Sequence, residues 1–359
     1  MRKRVALIYN EPFQSRYDRA GEEKAVLGVL EAVAAVRQSL LGLGHEMTLL
    51  PLLPPFEEAR DKLAALDVDV VFNLFEGFCG EPQSEALVPQ FLAGLKIPFT
   101  GCPVAALRLA LDKPRVKAIL KAAGVPTPDY QLLRPETVHT FRLRYPCIVK
   151  PRGEDASHGI SDESVVNDFT ALERQVRFVT GSYNCSALVE EFLSGREFNA
   201  TVMGNRRLTV LPASEIVYSL EPGTPPVLTF AAKWEPDSVY FRGTRVVCPA
   251  EISLEERGQI VKTALAAFRL TGCTGYARVD VRMDGSGRLN VLEVNPNPDI
   301  SPESGAARQA VAAGMSYTDF VDYVIKLAME KKNHGRQNPP DVPAGQAGVD
   351  ENSEEFARI

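Results

Sequence analysis

Residues 275–295 read GYARVDVRMDGSGRLNVLEVN, two runs of alternating apolar and polar residues joined by DGSG. Alternation with a period of two marks a half-buried strand, and a Gly-rich four-residue link between two such strands marks a hairpin turn. Centring that turn on Ser286 and Gly287 sets Asp280 opposite Glu293, and Arg278 opposite Asn295. Cross-strand partners project to one side and residues two apart share a face, so these four converge on one patch. Val279, Val281, Leu292 and Val294 are then expected on the reverse face, against a core. Two carboxylates, an amide and an arginine on one patch suit Mg²⁺ with a phosphate. Mg²⁺ takes hard oxygen donors and keeps phosphate oxygens in its shell. The arginine can neutralise charge that develops during phosphoryl or acyl transfer. A solvated sheet face with an ordinary Arg–Asp pair explains any one of these residues, but explains four together less well. The second strand runs on into NPNPDISPESG, a loop of prolines and oxygen donors.

The rest of the chain reads as α/β. A strand pattern at residues 3–9, a turn and strand within GLGHEMTLLPL (42–52) and a strand pattern at 67–75 alternate with helical patterns at 22–43 and 57–66, which implies a parallel sheet with crossover helices. Glu22 and Glu23 read as an acidic helix start, where the helix dipole favours them. No GxGxxG is present, so a dinucleotide is not supported. Further on, PCIVKPRGEDASHGIS is a strand ending in Lys150 and a polar loop holding Gly153, Ser157 and Gly159. Such a loop can wrap a phosphate with backbone N–H groups. DKPRVK sets Lys113 and Lys117 at helical spacing, which by itself reads as a solvated basic face. Residues 165–180 read as a helix, LTVLPASEIVYS as one strand, and Ser253 with Glu256 as a capping box. The stretch EPGTPPVLTFAAKWEPDSVYFRG is long, proline-rich and irregular, and such loops tend to be functional or mobile.

Composition closes off other classes. With 359 residues, two or three domains are expected. A net charge of −6 gives no sign of nucleic-acid binding. No apolar run approaches the roughly 18 residues of a membrane span. The start MRKRVALIYN is basic then apolar, but it is too short and lacks a cleavage site for a signal peptide. Six cysteines without a CxxC pair read as reduced thiols of a cytoplasmic protein, and four scattered histidines argue against a zinc site.

Taken in order, TGCPVAALRLALDK, YPCIVKPRGEDASHGIS, ALVEEFLSGREFNATVMG, AAKW, CPAEI, GCTGYARVDVR, LEVNPNPDISPES and AAGMSYTDFV resemble the D-alanine–D-alanine ligase family of ATP-grasp enzymes. The resemblance is close over residues 70–328 and loose before them. It implies a three-domain fold, α/β overall and α+β in the ATP-grasp part, with ATP between two antiparallel sheets. The expected divisions are a Rossmann-like domain at 1–102, a central subdomain at 103–187, a C-terminal subdomain at 188–332 and a disordered tail at 333–359. The implied reaction phosphorylates a carboxylate with ATP, after which an amine displaces the phosphate to give an amide.

By resemblance, Lys113, Lys150 and Ser157 meet ATP phosphates, Glu190, Glu191, Phe192 and Leu193 line the adenine, and Glu197 binds the ribose. Asp280, Glu293 and Asn295 hold two Mg²⁺ ions, with Mn²⁺ an acceptable substitute. Arg278 stabilises the tetrahedral intermediate, Lys233 closes over the γ-phosphate, and Ser304 holds the carboxylate of the attacking amino acid. Partners are amino acids or short peptides, and the family is often dimeric through its N-terminal part. Departures fall on the amino-acid side. The family's glycine-rich stretch with serine and glutamate is missing after the first strand. The positions of its serine–tyrosine–glutamate triad hold Ala156 and Trp234, so that triad cannot form as such. Glu76 replaces a histidine and Asp299 a glycine, which makes the substrate pocket more acidic and suits a cationic group. Authentic D-alanyl-D-alanine synthesis, a relative joining other amino acids or peptides, a carboxylate kinase with another acceptor and a non-catalytic nucleotide binder all stay open at this level.

Overall fold

The computed structural model describes residues 2–22 and 24–334. The tail expected over residues 333–359 lies, but for its first two residues, outside them.

The first sheet is parallel, in the order β2-β1-β3, from β1 (Arg4–Asn10), β2 (Glu46–Leu52) and β3 (Val70–Leu74). The helix expected over residues 22–43 begins at Lys24 and is interrupted at Gly28, giving α1 (Lys24–Leu27) and α2 (Val29–Gly42). Glycine is a poor helix former, and Glu22, left outside the helix, is engaged elsewhere. Residues 5–9 of β1 are all apolar because both faces of the strand are covered. Val5, Leu7 and Tyr9 pack with Val33 and Val36 of α2. Ala6 and Ile8 pack with Leu63 of α3 (Phe56–Ala64) and with Val88 and Leu92 of α4 (Leu87–Gly94).

After α5 (Val104–Ala110) and α6 (Lys113–Ala122) comes an antiparallel sheet ordered β4-β7-β5-β6. Its strands are β4 (Tyr130–Leu133), β5 (Cys147–Pro151), β6 (Val165–Val166) and β7 (Ala187–Glu191). The helix expected over residues 165–180 is α7 (Phe169–Tyr183). It starts late because Val165 and Val166 pair with β5, and Asp168 caps it by accepting from the Ala171 N–H at 2.8 Å. Leu172, Val176 and Val179 of α7 pack on Val149 and Val189.

The third sheet has six strands: β8 (Glu197–Gly204), β9 (Leu208–Val210), β10 (Ser214–Tyr218), β11 (Thr244–Val247), β12 (Gly275–Met283) and β13 (Leu289–Asn295). Their order is β11-β10-β8-β12-β13, with β9 beside β8. The single strand expected across LTVLPASEIVYS is divided at Pro212, which has no N–H for a ladder. The long stretch before β11 is not irregular throughout: it holds α8 (Phe230–Trp234) and α9 (Val239–Gly243). Behind the sheet lies α10 (Leu254–Leu270), started by the expected Ser253–Glu256 capping box. Its Ile260, Ala264 and Phe268 share a core with Phe198, Val202, Val279 and Val281. After α11 (Gly305–Ala312), α12 (Tyr317–His334) brings Phe320 and Val324 back against the first sheet.

The hairpin of β12 and β13 carries one correction. Near the turn Val281 pairs with Val291, one position off the expected register, and the register shifts between Asp280 and Val281 so that Asp280 pairs with Glu293 and Arg278 with Asn295. The extra residue is Leu292. It is half-buried and borders the cleft, while Val291 takes the core position expected for it. Without this bulge Glu293 would lie opposite Val279 and point to the core, because a one-residue slip reverses every side chain.

Candidate active site

The cleft lies between the two antiparallel sheets. One cavity is lined by Ile148 and Lys150 of β5, Glu190 and Glu191 of β7, Phe192, Leu193, Glu197, and Asp280, Leu292 and Glu293 of the hairpin. Lys113, Ser157 and Lys233 border it as well. A second cavity of ≈ 540 Å³ adjoins it and shares Asp155, His158, Leu228, Lys233 and Asp280. Arg278, Asn295, Ser304, Glu76, Trp234 and Asp299 line this second space. Every site residue named from the sequence therefore borders one of two adjoining cavities.

The cations are placed by buried acids. Lys117 and Lys150 each lie 3.0 Å from a different oxygen of Glu190, and Lys117 also donates to Thr127 Oγ1 at 2.9 Å. The expected solvated basic face is not found: Lys113 is 5% exposed and Lys117 1%. Burial, with the Lys150 charge, pushes the Lys117 ammonium down to about 8. Burial acts to raise the Glu190 carboxyl, but the two ammoniums outweigh it and hold it below its ordinary value. Lys113 donates to the Glu154 carbonyl and to Asp155, both at 2.7 Å, and reaches Glu293 at 3.5 Å. Arg282, 4% exposed, and Tyr218 both donate to Glu197 Oε2 at 2.9 Å, which fixes that carboxylate at the cavity edge.

At the hairpin, Arg278 holds both oxygens of Asp280, at 2.7 and 2.9 Å. Burial works to raise the Glu293 carboxyl, but Lys113, Lys150, Arg278 and Lys233 surround it and hold it well below the usual range. Among the described residues no three His, Cys, Asp or Glu side chains form a metal group. The donors here are two carboxylates and the Asn295 amide, hard oxygens on one face of the hairpin. Four cations around them leave a site suited to a polyanion carrying a divalent ion. The stretch before β11 packs on the loop after β5: Ser157 Oγ donates to the Leu228 carbonyl at 2.9 Å, and the Phe230 N–H to that of Ile160 at 3.0 Å.

The D-ala D-ala ligase C-terminus family model matches residues 119–326. An uncharacterized protein from Sinorhizobium fredii is 34% identical over 90% of this chain and 96% of its own. A D-alanine–D-alanine ligase from Desulforudis audaxviator is 32% identical, over 84% of this chain and 94% of its own. The chain belongs to the D-alanine–D-alanine ligase family. It is an ATP-grasp, ADP-forming ligase. The fold agrees: a D-alanine–D-alanine ligase from Bacillus anthracis, complexed with ATP, superposes with a TM-score of 0.70 at 20% identity, over 93% of this chain and 99% of its own. A D-Ala:D-Ser ligase from Enterococcus faecalis has the same score and identity, over 91% of this chain and all of its own. Among the described residues, no helix is long and apolar enough to cross a membrane, and no disulfide joins the six cysteines.

Against this ligase background three groups stand out that the sequence did not place. Glu22, read as a helix start, is 8% exposed and accepts from His158 Nδ1 at 2.7 Å, the Gly159 N–H at 2.9 Å and the Tyr183 hydroxyl at 3.0 Å. Arg16 and Tyr17 bind Glu154 of the same loop. Arg308 borders the second cavity one turn beyond Ser304, with its Nε buried and unpartnered. That i, i+4 spacing was the one available signal for it.

The second cavity is acidic. Glu11, Glu31, Glu76, Glu85, Asp299 and Glu303 line it. Glu76 is exposed and opens onto this cavity. Burial, then the charges of Asp299 and Asp155, pushes its carboxyl up to about 8. Burial raises Glu85 to about 8 as well, against a hydrogen bond from Asn297. Between the ordinary value of 4.5 and about 8, the folded protein then binds more protons than the unfolded chain. Stability of the ligand-free protein is expected to fall as pH rises through that window, and Glu76→Gln to flatten the fall. Denaturant midpoints across the window check this; a midpoint in the wild type that ignores pH counts against it.

Proposed function

We propose that the enzyme joins a carboxylate to an amine through an acyl phosphate, with a positively charged group of a substrate held by Glu76 and Asp299. The observation that carries this reading is the hairpin patch of Asp280, Glu293, Arg278 and Asn295, set where the cleft between the two antiparallel sheets meets the acidic cavity. Lys113, Lys150 and Ser157 would hold the phosphates, Glu190 to Leu193 the base and Glu197 the ribose. Asp280, Glu293 and Asn295 would hold two Mg²⁺ ions, which supply charge neutralisation at the transferring phosphoryl group. Arg278 sits where it can meet the oxyanion of the tetrahedral intermediate, and Lys233 reaches both cavities to meet the γ-phosphate. Ser304 with Arg308 forms the end that suits a substrate carboxylate. Little covalent chemistry falls to the protein; positioning and electrostatics carry the rate.

Authentic D-alanyl-D-alanine synthesis is the second reading, supported by relatives such as that from Desulforudis audaxviator. Mg·ATP-dependent phosphate release with D-alanine, L-amino acids, β-alanine, diamino acids and dipeptides, with products weighed by mass spectrometry, separates the two. Turnover with D-alanine alone gives the second reading. Turnover with a pair carrying an extra amine gives the first, and release that needs no amine sinks both. Glu76→Gln is expected to raise KM for the cationic substrate about tenfold, the scale of one lost charged hydrogen bond. An unchanged KM removes Glu76 from the site.

A further inference from the structure

His158 lies where the two cavities meet, and its ring lines both. It is 5% exposed and held on three sides. Tyr17 stacks on it with centroids 3.8 Å apart and planes 3° apart, Phe230 covers the other face at 5.6 Å, and Glu22 takes Nδ1 at 2.7 Å. Among the described residues no protein atom hydrogen-bonds Nε2, and that atom is not sealed off as a buried unpartnered one. A carboxylate beside Nδ1 keeps the proton there and leaves the lone pair on Nε2. Anchoring the loop requires only Nδ1, and the Gly159 N–H already anchors it to Glu22 at 2.9 Å. The free Nε2 at the junction is what an anchor does not explain.

We propose that His158 is the general base that frees the attacking amine. This rests on the amide-forming reading above. An amine binds as its ammonium and is no nucleophile until it loses a proton. Nε2 takes that proton, and the Glu22 carboxylate stabilises the resulting imidazolium. The amine nitrogen then attacks the acyl carbon, the C–N bond forms and the C–O bond to phosphate breaks with its electron pair on the phosphate oxygen. A second amine proton leaves with the phosphate, the third stays on the amide, and the imidazolium gives its proton to water. The charged or titratable groups around the ring are Glu22 and Tyr183 on one side and Tyr17, Glu154 and Arg16 on the other.

Hydroxylamine tests this, because it is largely unprotonated at neutral pH and needs no base. The full-length enzyme and His158→Asn, whose amide can still donate to Glu22, are compared in two assays with the same acid and Mg·ATP: amide formation with the amine, and hydroxamate formation with hydroxylamine. His158→Asn is expected to lose about 10²-fold or more in the amine reaction. It should stay within a few-fold of wild type in the hydroxylamine reaction, recover as pH rises and respond to added imidazole. Glu22→Gln should lose about tenfold in the amine reaction alone, the low end of such effects. Equal losses in both assays mean that His158 only holds the loop, and no loss in either means it is a bystander; both overturn the proposal. A wild type that makes neither amide nor hydroxamate overturns the amide-forming reading, and the proposal with it.

Discussion

Glu293→Gln and Asp280→Asn are each expected to lower ATP-dependent turnover by roughly 10³-fold, the scale of several kcal/mol of lost charge stabilisation at a metal site. The register puts the two carboxylates directly opposite each other. The cations around Glu293 have other anions: Lys113 has Asp155, Lys150 has Glu190 and Arg278 has Asp280. For Glu293→Gln the loss should therefore appear in turnover and in Mg²⁺ dependence, with melting temperature almost unchanged, whereas Asp280→Asn also takes the partner of Arg278 and should lower stability as well. Chelation of the wild type should reproduce the loss, and added Mg²⁺ should restore it. Near-normal activity in either variant would remove the metal role from this hairpin.

Glu190→Gln acts on the other side of the cleft, and its effect is on stability. Glu190 is 1% exposed and answers two ammoniums at once. Removing one partner of a buried pair leaves an uncompensated charge, at about 3–5 kcal/mol. The penalty should shrink as pH rises. The folded state favours neutral Lys117, already at about 8 in the wild type, whereas the unfolded chain keeps its proton to the ordinary 10.5. The unfolded state thus binds more protons between those values, and stability rises with pH across them. Lys117→Met in the Glu190→Gln background should recover part of the loss by removing one unpaired ammonium. Denaturant unfolding measures all three proteins. A loss below about 1 kcal/mol, the scale of an exposed pair, would mean that water reaches this cluster freely.

The acids of the hairpin were legible because strand periodicity and turn position depend on near neighbours. Asp280 opposite Glu293 follows from counting out from DGSG, and the ladder holds that pair. The count missed Leu292, because a bulge is chosen by what the sheet must pack on each face, not by the two strands alone. Lys113 and Lys117 show the opposite failure. Helical spacing says that two lysines share a face; it does not say that Glu154, Asp155, Glu190 and Glu293 from other elements will cover that face. Glu22 fails in the same way, since its partners His158 and Tyr183 lie more than 130 residues along the chain.

What the sequence determined by itself is what local chemistry dictates: a parallel first sheet from alternating strand and helix patterns, a capped α10, a charged hairpin face, and a string of motifs that resembles one family. Only the tertiary structure decided which charges are buried and with whom. It made Glu190 the shared counter-ion of two lysines, turned Glu22 from a helix start into the partner of His158, and gathered Glu76, Glu85 and Asp299 around one cavity. The physical reason is that desolvation and ion pairing are set by distance in space, and a sequence records distance only along the chain.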